Sequence, residues 1–119
     1  MARSALTKTT LARNAVGLNL TDASYTALTP GSNNGKTWTH LDSDVVLLKN
    51  GTAGDAVYTF AFTTPAGYSA FGSTLSSATI TLAAGVTQIL RLSEVMKDGN
   101  GLINVDCDVA GSVAVLNQT

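Results

Sequence analysis

Ala56-Val57-Tyr58-Thr59-Phe60-Ala61-Phe62, then Ala78-Thr79-Ile80-Thr81-Leu82, then Val86-Thr87-Gln88-Ile89-Leu90-Arg91-Leu92 is the stretch that decides the fold. Side chains of an extended chain alternate between its two sides, so Tyr58, Phe60 and Phe62 share one face, and Val57, Thr59, Ala61 and Thr63 share the other. The second segment repeats the pattern, with small and apolar residues on one face and threonines on the other. The loop Thr63 to Ser77 separates the first two segments, and the short link Ala83-Ala84-Gly85 joins the second and third. A glycine in a link of that length between two strand patterns predicts a hairpin. All three phenylalanines of the chain, Phe60, Phe62 and Phe71, fall in this region, so most of its large apolar volume does too.

Working outward, Val45-Val46-Leu47-Leu48-Lys49 is a continuous apolar run ended by Asn50-Gly51, which predicts either a strand buried on both sides or a central strand, and in both cases a core strand. Thr37 to Leu41 alternates before it, and Pro30-Gly31-Ser32-Asn33-Asn34-Gly35-Lys36 is dense in turn formers. Residues 15–29 alternate weakly at Val16, Leu18 and Leu20. Beyond Leu92, Lys97-Asp98-Gly99-Asn100-Gly101 marks another turn, and two last strands, Leu102 to Val109 and Ser112 to Leu116, meet at Ala110-Gly111. Seven or eight short strands with Gly/Asn/Asp turns, and no helical period longer than about two turns, predict an all-β chain. The expected architecture is one small antiparallel β-sandwich of jelly-roll, immunoglobulin-like or barrel-like form spanning residues 1–119.

Composition narrows the function. With 119 residues and 45% hydrophobic content, the chain can bury one sizeable core. Charged residues are only 13%, about half the usual share, and the net charge is −1, so no global field draws in nucleic acid or an anionic membrane. A sandwich so poor in charge has few edge lysines to block strand pairing, which favours self-association or docking on a partner. No stretch approaches the ~20 apolar residues of a membrane span, and the N-terminus lacks a signal-peptide pattern. The expected setting is therefore synthesis in a cytoplasm as a soluble chain. The single cysteine, Cys107, alternates with polar neighbours and is read as a small buried hydrophobe.

Candidate chemistry is sparse. His40 with Asp42 or Asp44 would be the nucleus of a metal or general-base site, but a metal needs more ligands and no second histidine exists. A histidine on a surface strand is the simpler account. Asp98-Gly99-Asn100-Gly101 starts like a calcium loop, yet position 102 is leucine and 109 is valine where the loop needs further oxygen ligands. Asn104, Asp106 and Asp108 share a strand face, expected to be a solvated outer face balancing inward Ile103, Val105, Cys107 and Val109. Tyr25, Trp38 and Tyr68 would serve as a sugar-stacking platform only if they met on one surface. No nucleophile elbow, phosphate loop or cysteine pair is present, so no enzyme, metal or cofactor is expected.

Residues 1–14 hold Arg3, Lys8 and Arg13, three of the seven basic residues, and no acid. Either this is an N-terminal arm that docks on an acidic surface, or Leu6 to Ala12 is an ordinary first strand.

The order Trp38-Thr39-His40-Leu41, Val45 to Gly51, Ile80-Thr81-Leu82-Ala83-Ala84-Gly85 and Asp98-Gly99-Asn100-Gly101-Leu102-Ile103-Asn104-Val105 resembles small structural proteins of tailed bacteriophages. In those chains a strand ending Lys-Asn-Gly, a link containing Ala-Gly and a late Asp-x-Asn-Gly turn recur. The similarity spans about residues 37–116, with residues 1–36 matching least. It implies a capsid decoration, or cement, protein: a β-sandwich, often a homotrimer, on the outside of the expanded head. The implied partners are the major capsid protein and further copies of the chain; the basic charge of residues 1–14, not the resemblance, makes Arg3, Lys8 and Arg13 the candidate capsid contacts. The implied place is the virion exterior after synthesis in the host bacterial cytoplasm. A tail or head-completion ring protein and a glycan-binding surface module are the alternatives.

Overall fold

The computed structural model describes residues 3–11, 25–61, 77–92, 96–98 and 100–118. Ten strands occur among them: β1 (Ser4–Ala5), β2 (Thr9–Leu11), β3 (Thr26–Ala27), β4 (Lys36–Thr39), β5 (Val45–Lys49), β6 (Ala56–Ala61), β7 (Ser77–Leu82), β8 (Thr87–Leu90), β9 (Leu102–Cys107) and β10 (Ser112–Gln118). One sheet has the order β1-β4-β9-β6-β7; the other has β2-β10-β5-β8, with β3 also pairing β10. The all-β sandwich expected from period-two alternation is the fold observed. The count exceeds the expected seven or eight because β1, β2 and β3 are only two or three residues long. The sheets are also mixed: β1 runs parallel to β4 and β2 parallel to β10, while the other pairings are antiparallel.

The core lies between the sheets. Tyr58 and Phe60 from β6, Ile103 and Val105 from β9, and Trp38 from β4 meet Val46 and Leu48 from β5 and Val113 and Val115 from β10. Within each sheet these residues share the inward face by alternation, and nearly all are fully buried. As expected, β5 is central: it lies between β10 and β8, and Leu47, on the face opposite Val46 and Leu48, is still only 4% exposed. Phe62, Phe71 and Tyr68, and Val16, Leu18 and Leu20, lie outside the described residues.

The expected hairpin across Ala83-Ala84-Gly85 does not form. β7 pairs with β6 along six rungs in one sheet, and β8 pairs with β5 in the other. The link is instead a corner between sheets, and local chemistry fixes it. Gly85 adopts φ +78, which costs a glycine little, and its N–H donates to the Asn50 carbonyl at 2.7 Å. The fully buried Asn50 amide donates to Leu82 O (2.9 Å) and Gly54 O (2.7 Å), while its Oδ1 accepts from the Thr52 N–H and hydroxyl. One side chain thus ties the end of β5 to the end of β7 and shapes the turn into β6. Residues 107–112 make a second crossing, from β9 in one sheet to β10 in the other.

A tyrosine joins the layers from within. The Tyr58 hydroxyl, carried on β6, lies 2.9 Å from Lys49 O and 3.0 Å from Ser112 O, at the first rung of the β5–β10 pair. Burial, with the nearby Cys107 thiol adding to it, pushes this hydroxyl well above the usual phenol range, and the Ser112 hydrogen bond only partly offsets the rise.

Candidate functional site

The N-terminal segment is built into both sheets over the residues described. Ser4 N–H donates to Gly35 O and Leu6 N–H to Thr37 O, which lays β1 against β4, and Leu6 inserts into the core. The chain then crosses the edge of the sandwich and enters the second sheet as β2 beside β10. Two of the three basic residues proposed as capsid contacts have intramolecular partners. Arg3 grips Asp106 with both arms of its guanidinium, Nε to Oδ1 at 2.9 Å and Nη2 to Oδ2 at 2.6 Å. Lys8 Nζ donates to Asp44 Oδ2 at 2.6 Å and to Thr39 O at 2.7 Å. Arg13 lies outside the described residues. Over residues 3–11 the segment is therefore a strap across the sandwich edge, not a free arm.

Asp106 is the hub of this strap. It sits on the outer face of β9, where a solvated carboxylate was expected, yet it is only 6% exposed. Besides Arg3 it accepts the N–H groups of Asn33 and Gly35, each at 3.0 Å, so it also holds down the loop before β4. Burial works to raise its pKa, but the bonds from Arg3, Asn33 and Gly35 together outweigh burial and hold the carboxyl below the ordinary range. The loop can approach this closely because residue 35 is glycine: a Cβ there would run into the Val105 carbonyl. Asn104 is likewise buried and donates to Asp98 Oδ2 at 2.9 Å. Of the expected outer acidic stripe only Asp108 is exposed, and its Oδ1 accepts from Val57 N–H.

The remaining sequence candidates fall apart as sites. His40 is not a surface strand residue: it follows the end of β4, and its side chain is 4% exposed with Nε2 3.1 Å from Asp42 Oδ1. Asp44 is paired with Lys8 instead. Asp98 organises a turn, accepting from the N–H groups of Asn100 and Leu102 and from Asn104; these bonds outweigh its desolvation and hold its pKa low. Trp38 is in the core, so it presents no ring to a sugar, whereas Tyr25 lies beneath Lys49 at 5.3 Å. Cys107 is buried, as expected. Among the described residues no group of three or more His, Cys, Asp or Glu side chains is placed to hold a metal. A cleft of about 340 Å³ is lined by Gly31, Ser32, Val57, Thr59, Asp106, Cys107 and Asp108, but both of its aspartates are already engaged with the protein.

What does emerge is one side of the sandwich. From Ala56 to Leu90 the sequence has no Asp, Glu, Lys, Arg or His. The fold sends this run through β6, then β7 at the rim of the first sheet, then β8 at the rim of the second. Thus β7 and β8 place two rim strands on the same side, neither bearing a charge. Ile89 of β8 is 67% exposed and Val86, just before it, 42%. Native sheets usually protect such rims with lysines, prolines or bulges. The signal was visible in the sequence as the longest stretch without charge, but only the assignment of β7 and β8 to rims gives it meaning.

Comparison with protein-family models, with characterised proteins and with solved structures returns no match to this chain.

Proposed function

We propose that this chain is a non-enzymatic virion structural protein that binds the outside of an expanded phage head and stabilises the lattice by bridging coat subunits. The observation that carries the proposal is the uncharged side of the sandwich, with its two rim strands and the exposed Ile89 and Val86. An apolar rim of this kind suits a component that works by packing against other chains. The resemblance of residues 37–116 to small phage head proteins supplies the biological setting.

The fold suits the role in a further way. A protein on the outside of a particle must stay folded without a crosslink, and Cys107, the single cysteine, is buried in the core. Stability comes instead from the packed core, the Asp106 hub and the Asn50 corner, and occupancy of a lattice adds to it by mass action. Bridging neighbouring coat subunits raises the work needed to separate them, so the shell resists the pressure of packaged DNA.

Heads of the encoding phage assembled without this chain should release their DNA at a lower temperature than complete heads, by several degrees. Adding the purified chain back should restore the difference. DNA release monitored by dye fluorescence during heating is the measurement, and equal release temperatures with and without the chain would count against a stabilising role.

A further inference from the structure

We infer that the free edge of β8 is a self-pairing surface, on which a second copy of this chain adds its own β8 antiparallel about a two-fold axis, with Ile89 opposite Ile89. This inference does not depend on head binding.

The pairing of β8 with β5 decides which backbone groups the edge presents. β8 pairs antiparallel with β5 in the register Lys49↔Thr87, Leu48↔Gln88, Leu47↔Ile89 and Val46↔Leu90. Continuing that register sets Asn50 opposite Val86, and there the Asn50 N–H donates to the Val86 carbonyl at 3.0 Å. In an antiparallel ladder hydrogen-bonded and non-hydrogen-bonded rungs alternate. The rungs at Gln88 and Leu90 are therefore the bonded ones, and the N–H and C=O groups of Thr87 and Ile89 turn away from β5. Thr87, Gln88 and Ile89 are all exposed, and none of the described residues pairs with that edge.

Symmetry then selects the register. Directly opposed residues of an antiparallel pair point to the same face, and a two-fold axis normal to the sheet must pass between a residue and its own copy. Centring the axis on Ile89 lets its N–H and C=O each bond the other copy's Ile89. It also packs the most exposed large apolar side chain of the described residues against itself. Gln88 then faces Leu90, and Thr87 faces Arg91, so no like charges meet. The Arg91 guanidinium is drawn aside in any case, donating to Asp42 O at 2.7 Å.

A second copy is favoured over a charged partner because β7 and β8 carry no charge to recognise one, and Arg91, just beyond the end of β8, is drawn toward Asp42 O. The whole-chain charge of −1 also opposes self-association very little. The contact joins the two β8-bearing sheets into one continuous sheet across the dimer. An edge of four residues buries less than the ~1,200 Å² of a standard interface, so the dimer forms in a concentration-dependent way.

Sedimentation equilibrium from about 1 µM to about 1 mM tests this. The mass should rise from 12.2 kDa toward twice that value, a stoichiometry distinct from the trimer implied by the family resemblance. Ile89→Lys should weaken association by at least ~100-fold, since two lysines would face each other across the axis. Its thermal midpoint should be unchanged, because Ile89 is largely exposed. Under a copper–phenanthroline oxidant, Ile89→Cys should crosslink into covalent dimers much faster than Thr79→Cys, an exposed position on β7. A monomer at 1 mM, a trimer, association unaffected by Ile89→Lys, or equal crosslinking at positions 79 and 89 would overturn the assignment. Failure of the chain to bind heads would leave it standing.

Discussion

A chain lacking residues 2–8 is expected not to fold. The truncation withdraws Leu6 from the core and removes β1 from the rim of its sheet. It also strips the partners from two carboxylates that stay behind: Asp106 loses Arg3, and Asp44, whose side chain is 2% exposed, loses Lys8. Breaking a buried pair from one side costs about 3–5 kcal/mol, and the low end applies here because both cations are partly exposed. Deleting a buried leucine costs at least about 2 kcal/mol more. Together these losses come to roughly 8 kcal/mol, comparable with the ~5–15 kcal/mol that hold a domain of this size. Circular dichroism of the truncated chain should show no cooperative thermal transition. A transition within a few degrees of the full chain would mean that the strap contributes little, and would return residues 1–8 to the role of a detachable arm.

Asp106→Ala is expected to cost about 3–5 kcal/mol. Its carboxylate receives four bonds, two from Arg3 and one each from the N–H groups of Asn33 and Gly35. Alanine would leave a guanidinium and two backbone donors facing a space with no acceptor. The same carboxylate links stability to pH. Its folded pKa, like that of Asp98, is held below the ordinary carboxylate value, so the unfolded chain takes up the proton more readily. The resulting stabilisation is fully present above the unfolded pKa of about 4 and is lost as pH falls through the folded value. Urea midpoints should therefore fall below about pH 4 for the parent chain, and Asp106→Ala should start lower and fall less steeply there. Identical midpoints at pH 7 would show that the hub does not anchor the loop and strap.

The sequence made the faces of strands legible but not their neighbours. Alternation correctly placed Tyr58 and Phe60 inward, and the unbroken run Val45–Lys49 correctly announced a central strand. The link at Ala83-Ala84-Gly85 misled because period-two patterns on either side of a short glycine-containing turn look the same whether the strands pair or part. What separates them is the buried Asn50 amide, which engages Leu82 O from 32 residues away. Asp106 was illegible for a related reason. An aspartate facing outward on a strand is normally solvated, and only Arg3, 103 positions distant, together with the loop permitted by Gly35, buries it. Trp38 shows the limit from the other side, since an aromatic near a turn cluster fits a platform or a core equally well until the second sheet is placed against it.

The proposed head binding is tested most directly by cosedimenting the purified chain with expanded heads and with unexpanded proheads of the phage that this proposal implies as its source. Saturable binding to expanded heads and none to proheads is the predicted result, and it would mean that maturation of the shell creates the site. Absence of binding to both shells would contradict the proposed function.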